Sequence, residues 1–331
     1  MKNKLNILIL IPFLFLGTSS LSQNDLTSYL ELAAQNNPEL KYRFNLYMAA
    51  MEEIPQVGAL PDPEVAFGYF IQPVETRIGP QNASVSVNQK FPWFGTLKAK
   101  ENAATKKAKI KQQAFKEFKS KLFYRVKSTY YELYFINKAI STTKENIDIL
   151  KTLKELSLSD IQVDKGSVVN KIRVEMEIRD LKNQLADLND RLSVHKTHFK
   201  NLLNESEDFE VNIESTLEEK DLPFDIKILT DSIMQHNHQI KKAEKRIKYF
   251  EQKKEVASKK GKPSFNIGID YRFTGKRNDY NGSDNGQNAI IAKVGVKLPL
   301  YRKKYKAMVK EANLMKKASD QKKESKKDRI E

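Results

Sequence analysis

Four histidines, two methionine pairs and two clusters of oxygen ligands are the residues of this 331-residue chain whose types could carry chemistry. His195 falls on an apolar seam of heptad spacing, with His198 beside it, so it reads as an interhelical polar contact rather than a metal ligand. His236-Asn237-His238 spells a nuclease-like tripeptide, but no metal framework or βα context surrounds it. Met48 and Met51, like Met308 and Met315, offer thioethers that suit soft copper or silver ions. Their helical spacing among apolar neighbours is the ordinary pattern of a core. Asp279, Asn281, Ser283 and Asp284 offer oxygens in a spacing that fits no standard calcium loop. Glu175, Glu177 and Asp180 could do acid–base work only in a desolvating pocket, and on a helix exterior they form a charged face. The sequence contains no phosphate-cradling glycine loop, no G-x-S-x-G elbow and no H-E-x-x-H. It contains no cysteine, so neither disulfides nor thiolate metal sites are available. The reading is of a protein that is not an enzyme and holds no cofactor or metal.

The elements that carry these residues are more informative. Hydrophobic residues make up 40% and charged residues 30% of the chain, with 12 glycines and 11 prolines, a balance that suits long amphipathic helices. Residues 1–22 read as a secretory signal: Lys2 and Lys4, an apolar run from Leu5 to Leu16, then Ser20-Leu21-Ser22 as a cleavage region. The competing reading, a short membrane anchor, has too short an apolar run to span comfortably. No other stretch could cross a membrane as a helix, so an exported chain that crosses one must do so as a barrel. The net charge is +16, much of it near the C-terminus. The export signal and the lack of aromatics interleaved with the basic run argue against nucleic-acid binding, and the run is read as a solvated helix face.

A pattern of about 75 residues occurs twice, roughly 200 positions apart. Asn37-Pro38-Glu39-Leu40 aligns with Asn237-His238-Gln239-Ile240, and Pro63 to Gly68 falls on Pro263 to Gly268. Each copy predicts a helix, a β-hairpin and a second helix: in the first, helix 25–53, strands 62–70 and 82–91, and a long helix 97–160. A tip at 161–167 and a return helix 168–204 complete that repeat, 23–205. An acidic linker, 206–223, leads to helix 224–259, strands 264–273 and 289–298, and the start of a long helix, 301–331. Period-two alternation marks the strands: Val65, Phe67 and Tyr69; Val85 and Val87; Phe265, Ile267, Ile269 and Tyr271; Ile290, Val294 and Val296. Each strand has the length that a tilted strand needs to cross a bilayer. Thr274 to Asn288 has the Gly, Asn and Asp content of a long outward loop. Leu122, Thr129, Ile136, Thr143 and Leu150, interleaved with Val126, Leu133, Ile140 and Ile147, form a heptad seam. Ile178, Leu185, Leu192 and Phe199, with Leu181, Leu188, His195 and Leu202, supply its antiparallel partner.

Together with the duplication, the junction Gln89-Lys90-Phe91-Pro92-Trp93-Phe94-Gly95-Thr96-Leu97-Lys98 resembles the TolC-like outer-membrane efflux family, in its heavy-metal subgroup. The resemblance covers essentially the whole mature chain. It implies a mainly α fold with β-hairpins: an α-helical barrel continued by a transmembrane β-barrel, assembled as a homotrimer. Closure is consistent with that number, because four strands fall short of the roughly eight a barrel needs, and three copies supply twelve. The resemblance further implies a passive outer-membrane duct reaching into the periplasm of a Gram-negative bacterium, with outer-membrane lipid around it. Its partners would be a periplasmic adaptor (membrane fusion) protein and an inner-membrane efflux pump. Asp164, Lys165, Gly166, Ser167 and Val168 would form the adaptor-facing tip, and Phe91, Trp93, Phe94 and Tyr301 the aromatics at the membrane boundary. The second copy lacks a second tip and return helix, so the chain is expected to be a fragment or a truncated relative. A periplasmic adaptor is contradicted by the duplication. An exported coiled-coil binding protein would not need the alternating strands.

Overall fold

The computed structural model describes residues 25–162, 168–217 and 225–329. Among them the chain forms helices α1 (Asp25–Asn36) and α2 (Pro38–Gly58), strands β1 (Glu64–Val74) and β2 (Gln81–Phe91), and helices α3 (Thr96–Gln162) and α4 (Val168–Leu203). Helices α5 (Ile226–His236) and α6 (His238–Lys260), strands β3 (Ser264–Thr274) and β4 (Ala289–Lys297), and helix α7 (Arg302–Lys327) follow. No helix among the described residues is long and apolar enough to cross a membrane.

The duplication is visible in the element bounds. Strands β1 and β3 begin and end at the same offset, and a helix break falls at Asn37 and again at Asn237. The helical stretch 25–53, within which Pro38 predicts a break or restart, and the stretch 224–259 are therefore each two helices. In the first copy Pro38 starts the second helix, where its missing N–H is harmless. In the second copy His238 replaces that proline, and the break persists because Asn237 caps the restart. Its Oδ1 accepts from the amides of Gln239 at 2.8 Å and Ile240 at 3.2 Å. Pro55 does not end α2 but lies inside it. One further turn forms beyond it, because a proline carbonyl still accepts, here from the Ala59 amide at 3.1 Å. Strand β1 runs to Val74 instead of stopping at residue 70, and an irregularity between Tyr69 and Val74 absorbs the extra length.

The chain divides into two compact units. One holds α1, α4 and the part of α3 from Leu122 onward. Its core is the predicted seam: Leu122, Val126, Leu133, Ile136, Ile140 and Ile147 are buried, with Thr129 and Thr143 beside them. Ile136 and Ile140 pack against Leu188, flanked by Leu185 and Leu192. Near the end of α4 the buried residues are Phe199 and Leu203, rather than Leu202, because a straight helix drifts away from an exact seven-residue repeat. Tyr29, Tyr130 and Phe199 form an aromatic knot there, with ring centroids 5.1 to 6.3 Å apart. Glu175 faces Lys154 across the helix pair at 3.0 Å, so it belongs to a charged face. His195 is half-buried on the seam.

The second unit holds α2, the first part of α3, the four strands, and α5 to α7. Ala99, Ala103 and Val256 pack with Tyr249 where α3 meets α6. The basic α7 is not solvated all round. Ala312 and Ser319 are buried, and Lys316 and Lys323 reach Glu251 and Glu244 of α6 at 3.0 and 3.2 Å. Met48 and Met51, expected in a core, are instead 42% and 39% exposed, as is Met315 at 39%.

Candidate membrane-spanning sheet and its junction

The four strands form one antiparallel sheet in the order β1-β2-β3-β4. The hairpin of the first copy thus pairs directly with that of the second, through β2 and β3. Register places the predicted apolar residues in continuous rows. Phe67 lies opposite Val85 and Val85 opposite Tyr271, which in turn faces Ile290. Val65 meets Val87, Val87 meets Ile269, Phe91 meets Phe265, and Phe265 meets Val296. All the strand residues picked out by alternation therefore lie on one face, because side chains at every second position of paired strands point the same way.

That face is not covered. Phe67 is 81%, Tyr69 80% and Ile71 95% exposed, and Ile290 and Val294 are similarly bare. A contiguous apolar surface of this kind marks contact with something other than water. The opposite face carries Ser84, Ser86, Asn88 and Lys90 from β2, and Asn266, Asp270 and Arg272 from β3, with Lys293 and Lys297 from β4. Asp270 is buried there and forms an ion pair with Lys293. Strands β1 and β4 each leave one edge unpaired among the described residues. The sheet therefore has an apolar side, a polar side and, among the described residues, two free edges.

Beyond one end of the sheet, the loops of the two copies are tied together. The Gly275 amide donates to the Pro80 carbonyl, and the Gly286 amide to the Ile78 carbonyl, each at 2.7 Å. Arg77 reaches Tyr280 at 2.7 Å and Asp284 at 2.5 Å. Tyr280 donates to Asp284, and that bond, reinforced by Arg77, holds the carboxyl below its ordinary value against the opposing effect of desolvation. Asp279 is taken by Arg277 at 2.6 Å. These carboxylates are matched by arginines, and among the described residues no group of three or more His, Cys, Asp and Glu could hold a metal ion. Gly79 sits at a φ of 131°, and a Cβ there would meet the Gly275 carbonyl oxygen at 1.8 Å, so the loops can approach only with glycine at that position.

At the other end the sheet meets the helices. Trp93 stacks on Phe265 at 6.0 Å, and Phe94 lies 6.2 Å from the same ring. Phe91 is half-buried, whereas Phe94 and Tyr301 are exposed. Gly95, at φ 75°, turns the chain from β2 into α3. Of the five tip residues only Val168 is described, exposed at the start of α4; Asp164, Lys165, Gly166 and Ser167 lie outside the described residues. The direct pairing of β2 with β3, the loop ties and the gathering of Lys90, Lys100, Lys260, Lys297 and Lys304 around a cleft that Trp93 also lines were missed by sequence reasoning. The basic runs at Lys259 to Lys262 and Arg302 to Lys304 were the available signal for that gathering.

Compared by sequence, the chain matches no protein-family model and no curated relative. Compared by structure, it is similar to solved outer-membrane proteins. The outer membrane protein VceC from Vibrio cholerae superposes with a TM-score of 0.70 at 14% identity, over 92% of this chain and 75% of that one. CusC, whose structures concern folding and transmembrane channel formation, gives 0.73 at 15% identity, over 92% and 73%. The Campylobacter jejuni CmeC outer membrane channel gives 0.68 at 14%, over 92% and 67%. The chain has the TolC-like fold.

Proposed function

We propose that this chain, built on the fold of outer-membrane channels, is the outer-membrane component of a tripartite efflux system. It would be a passive exit duct for drugs or metal ions. Three copies, each supplying β1 to β4, would close a barrel in the outer membrane, with the apolar face toward lipid and the polar face toward the lumen. The paired helices α3 and α4 would extend the duct into the periplasm. The tip, Asp164 to Val168, would meet a periplasmic adaptor that links the duct to an inner-membrane pump. The observation that carries this reading is the four-stranded sheet, with a bare apolar face and two free edges, on a chain otherwise made of long helices. In lipid every strand edge must find a partner, so β4 of one copy must pair with β1 of the next. The heavy-metal assignment rests on the junction from Gln89 to Lys98 alone.

The native sequence has no cysteine, so engineered pairs give a clean test. Ala66→Cys would be combined in turn with Lys293→Cys, Gly295→Cys and Lys297→Cys, and outer-membrane fractions oxidised. Covalent dimers and trimers from at least one pair are expected. Monomers throughout, or recovery only in the soluble periplasmic fraction, would instead favour an exported coiled-coil binding protein.

A further inference from the structure

We propose that the cleft beneath the sheet, where β2, β3 and β4 meet α3, α6 and α7, binds a phosphate-bearing anion. The cleft encloses about 600 Å³ and is lined by lysines, aromatics and prolines, without a single carboxylate. Two of its lysines have acidic partners facing elsewhere: Lys90 with Glu64 at 3.1 Å, and Lys259 with Glu255 at 3.7 Å. Lys100, Lys260, Lys262, Lys297 and Lys304 line it with no ion-pair partner among the described residues. The pocket packs closely enough around the Lys260 ammonium to lower its proton affinity, and Lys253, Lys100 and Lys304 lower it further by repulsion. Like charges gathered without compensation strain the free state, and an anion relieves that strain.

Two independent features point into the same space. Helices α3 and α7 both start at this wall, neither has an acidic residue in its first turn, and α7 has no side-chain cap. Lysines at a helix N-terminus oppose the helix dipole, whereas a bound anion would satisfy both the dipole and the lysines. Thr96, the first residue of α3, lines the cleft, is buried, and leaves its Oγ1 without a hydrogen-bond partner. An enclosed, unpaired hydroxyl is costly, and a ligand that shifts its immediate neighbours could relieve it by accepting from Oγ1. Trp93 and Phe265, stacked at the rim, place the cleft where the apolar face of the sheet ends. The phosphate could come from a lipid headgroup or from solution, and both present the same oxygens to the lysines and Thr96.

The test uses the full chain, purified in detergent and stripped of lipid, with melting temperature followed in three titrations: dihexanoyl phosphatidylglycerol, dihexanoyl phosphatidylcholine and inorganic phosphate. Phosphatidylglycerol is expected to raise the melting temperature, with an apparent affinity about tenfold weaker in the K260Q/K304Q variant and unchanged in K138Q/K182Q. A response to phosphate with the same loss assigns the site to the phosphate group itself. A response to phosphatidylglycerol alone assigns it to a lipid headgroup. T96V, which removes no charge, should weaken binding several-fold, and it carries the test if the double lysine variant does not fold. No response to either anion, responses that weaken equally in both lysine pairs, or equal responses to phosphatidylcholine and phosphatidylglycerol together with no response to phosphate, would overturn the proposal. None of these outcomes depends on whether the chain exports anything.

Discussion

His238 shows how one residue takes over a structural position and gains a titration. It stands where the first copy has Pro38, and its ring is held on both sides. Gln113 Nε2 lies 2.6 Å from Nδ1, and Ser120 Oγ lies 2.8 Å from Nε2. Gln113 donates to the unprotonated Nδ1 while Nε2–H donates to Ser120, an arrangement that only a neutral imidazole can make. Burial, then Lys241, lower its proton affinity; Glu117 acts the other way, and Lys116 adds to the lowering. With the folded-state pKa below the unfolded one, the unfolded chain takes up the proton first on acidification. The contribution to stability is complete above about pH 6.5 and is lost as the pH falls through the folded value. Thermal melts between pH 8 and pH 5 should therefore show a decline in stability that H238Q flattens; an unchanged slope would mean the ring titrates freely. Glu117 is a separate matter. Burial raises its pKa, but Lys242 at 2.6 Å and Lys121 outweigh that and bring it below its ordinary value. Its contribution disappears only in more acidic solution, so the two residues can be told apart by pH window.

At the scale of elements, the two units depend on opposite uses of apolar surface. Along α3 and α4 the seam is buried. Phe199 is completely enclosed by its aromatic neighbours, so F199A should destabilise the chain by about 3–5 kcal/mol, read by denaturant titration. Along the sheet the apolar rows are bare, and their role can be tested by charge. Ile269 lies in the outward row of β3 and is 56% exposed. A surface residue in water would accept lysine nearly without penalty. On a lipid face, I269K should cost about 2–4 kcal/mol near the bilayer midplane. Lysine at Ser86, on the opposite face, should be tolerated. Folding yields of the two variants into bilayers, compared with the parent, separate the cases; equal yields would count against the lipid-facing assignment. The lengths and alternation of these strands were legible from the chain because period-two patterning is local. The β2–β3 pairing was not, because it joins residues about 180 positions apart, and no local signal encodes which hairpin edge meets which.

At the scale of the whole molecule, the proposed closure would join the two free edges of the four-stranded sheet between copies. The proposed closure predicts that the chain runs on unheated gels as a species of about three times its own mass and collapses to a monomer on boiling. A monomer before heating, with the native strand content intact, would argue against closure. The sequence by itself determined the repeat, the seam residues, the strand faces and the aromatic junction, since each rests on periodicity or on a run of adjacent residues. Tertiary structure alone decided that Arg77 of the first copy occupies Asp284 of the second, and that lysines from three helices, two strands and the loop before β3 share one cleft. Those facts depend on groups brought together from distant parts of the chain, and charge and hydrogen bonding act through space, whereas a sequence pattern reports only neighbours along the backbone.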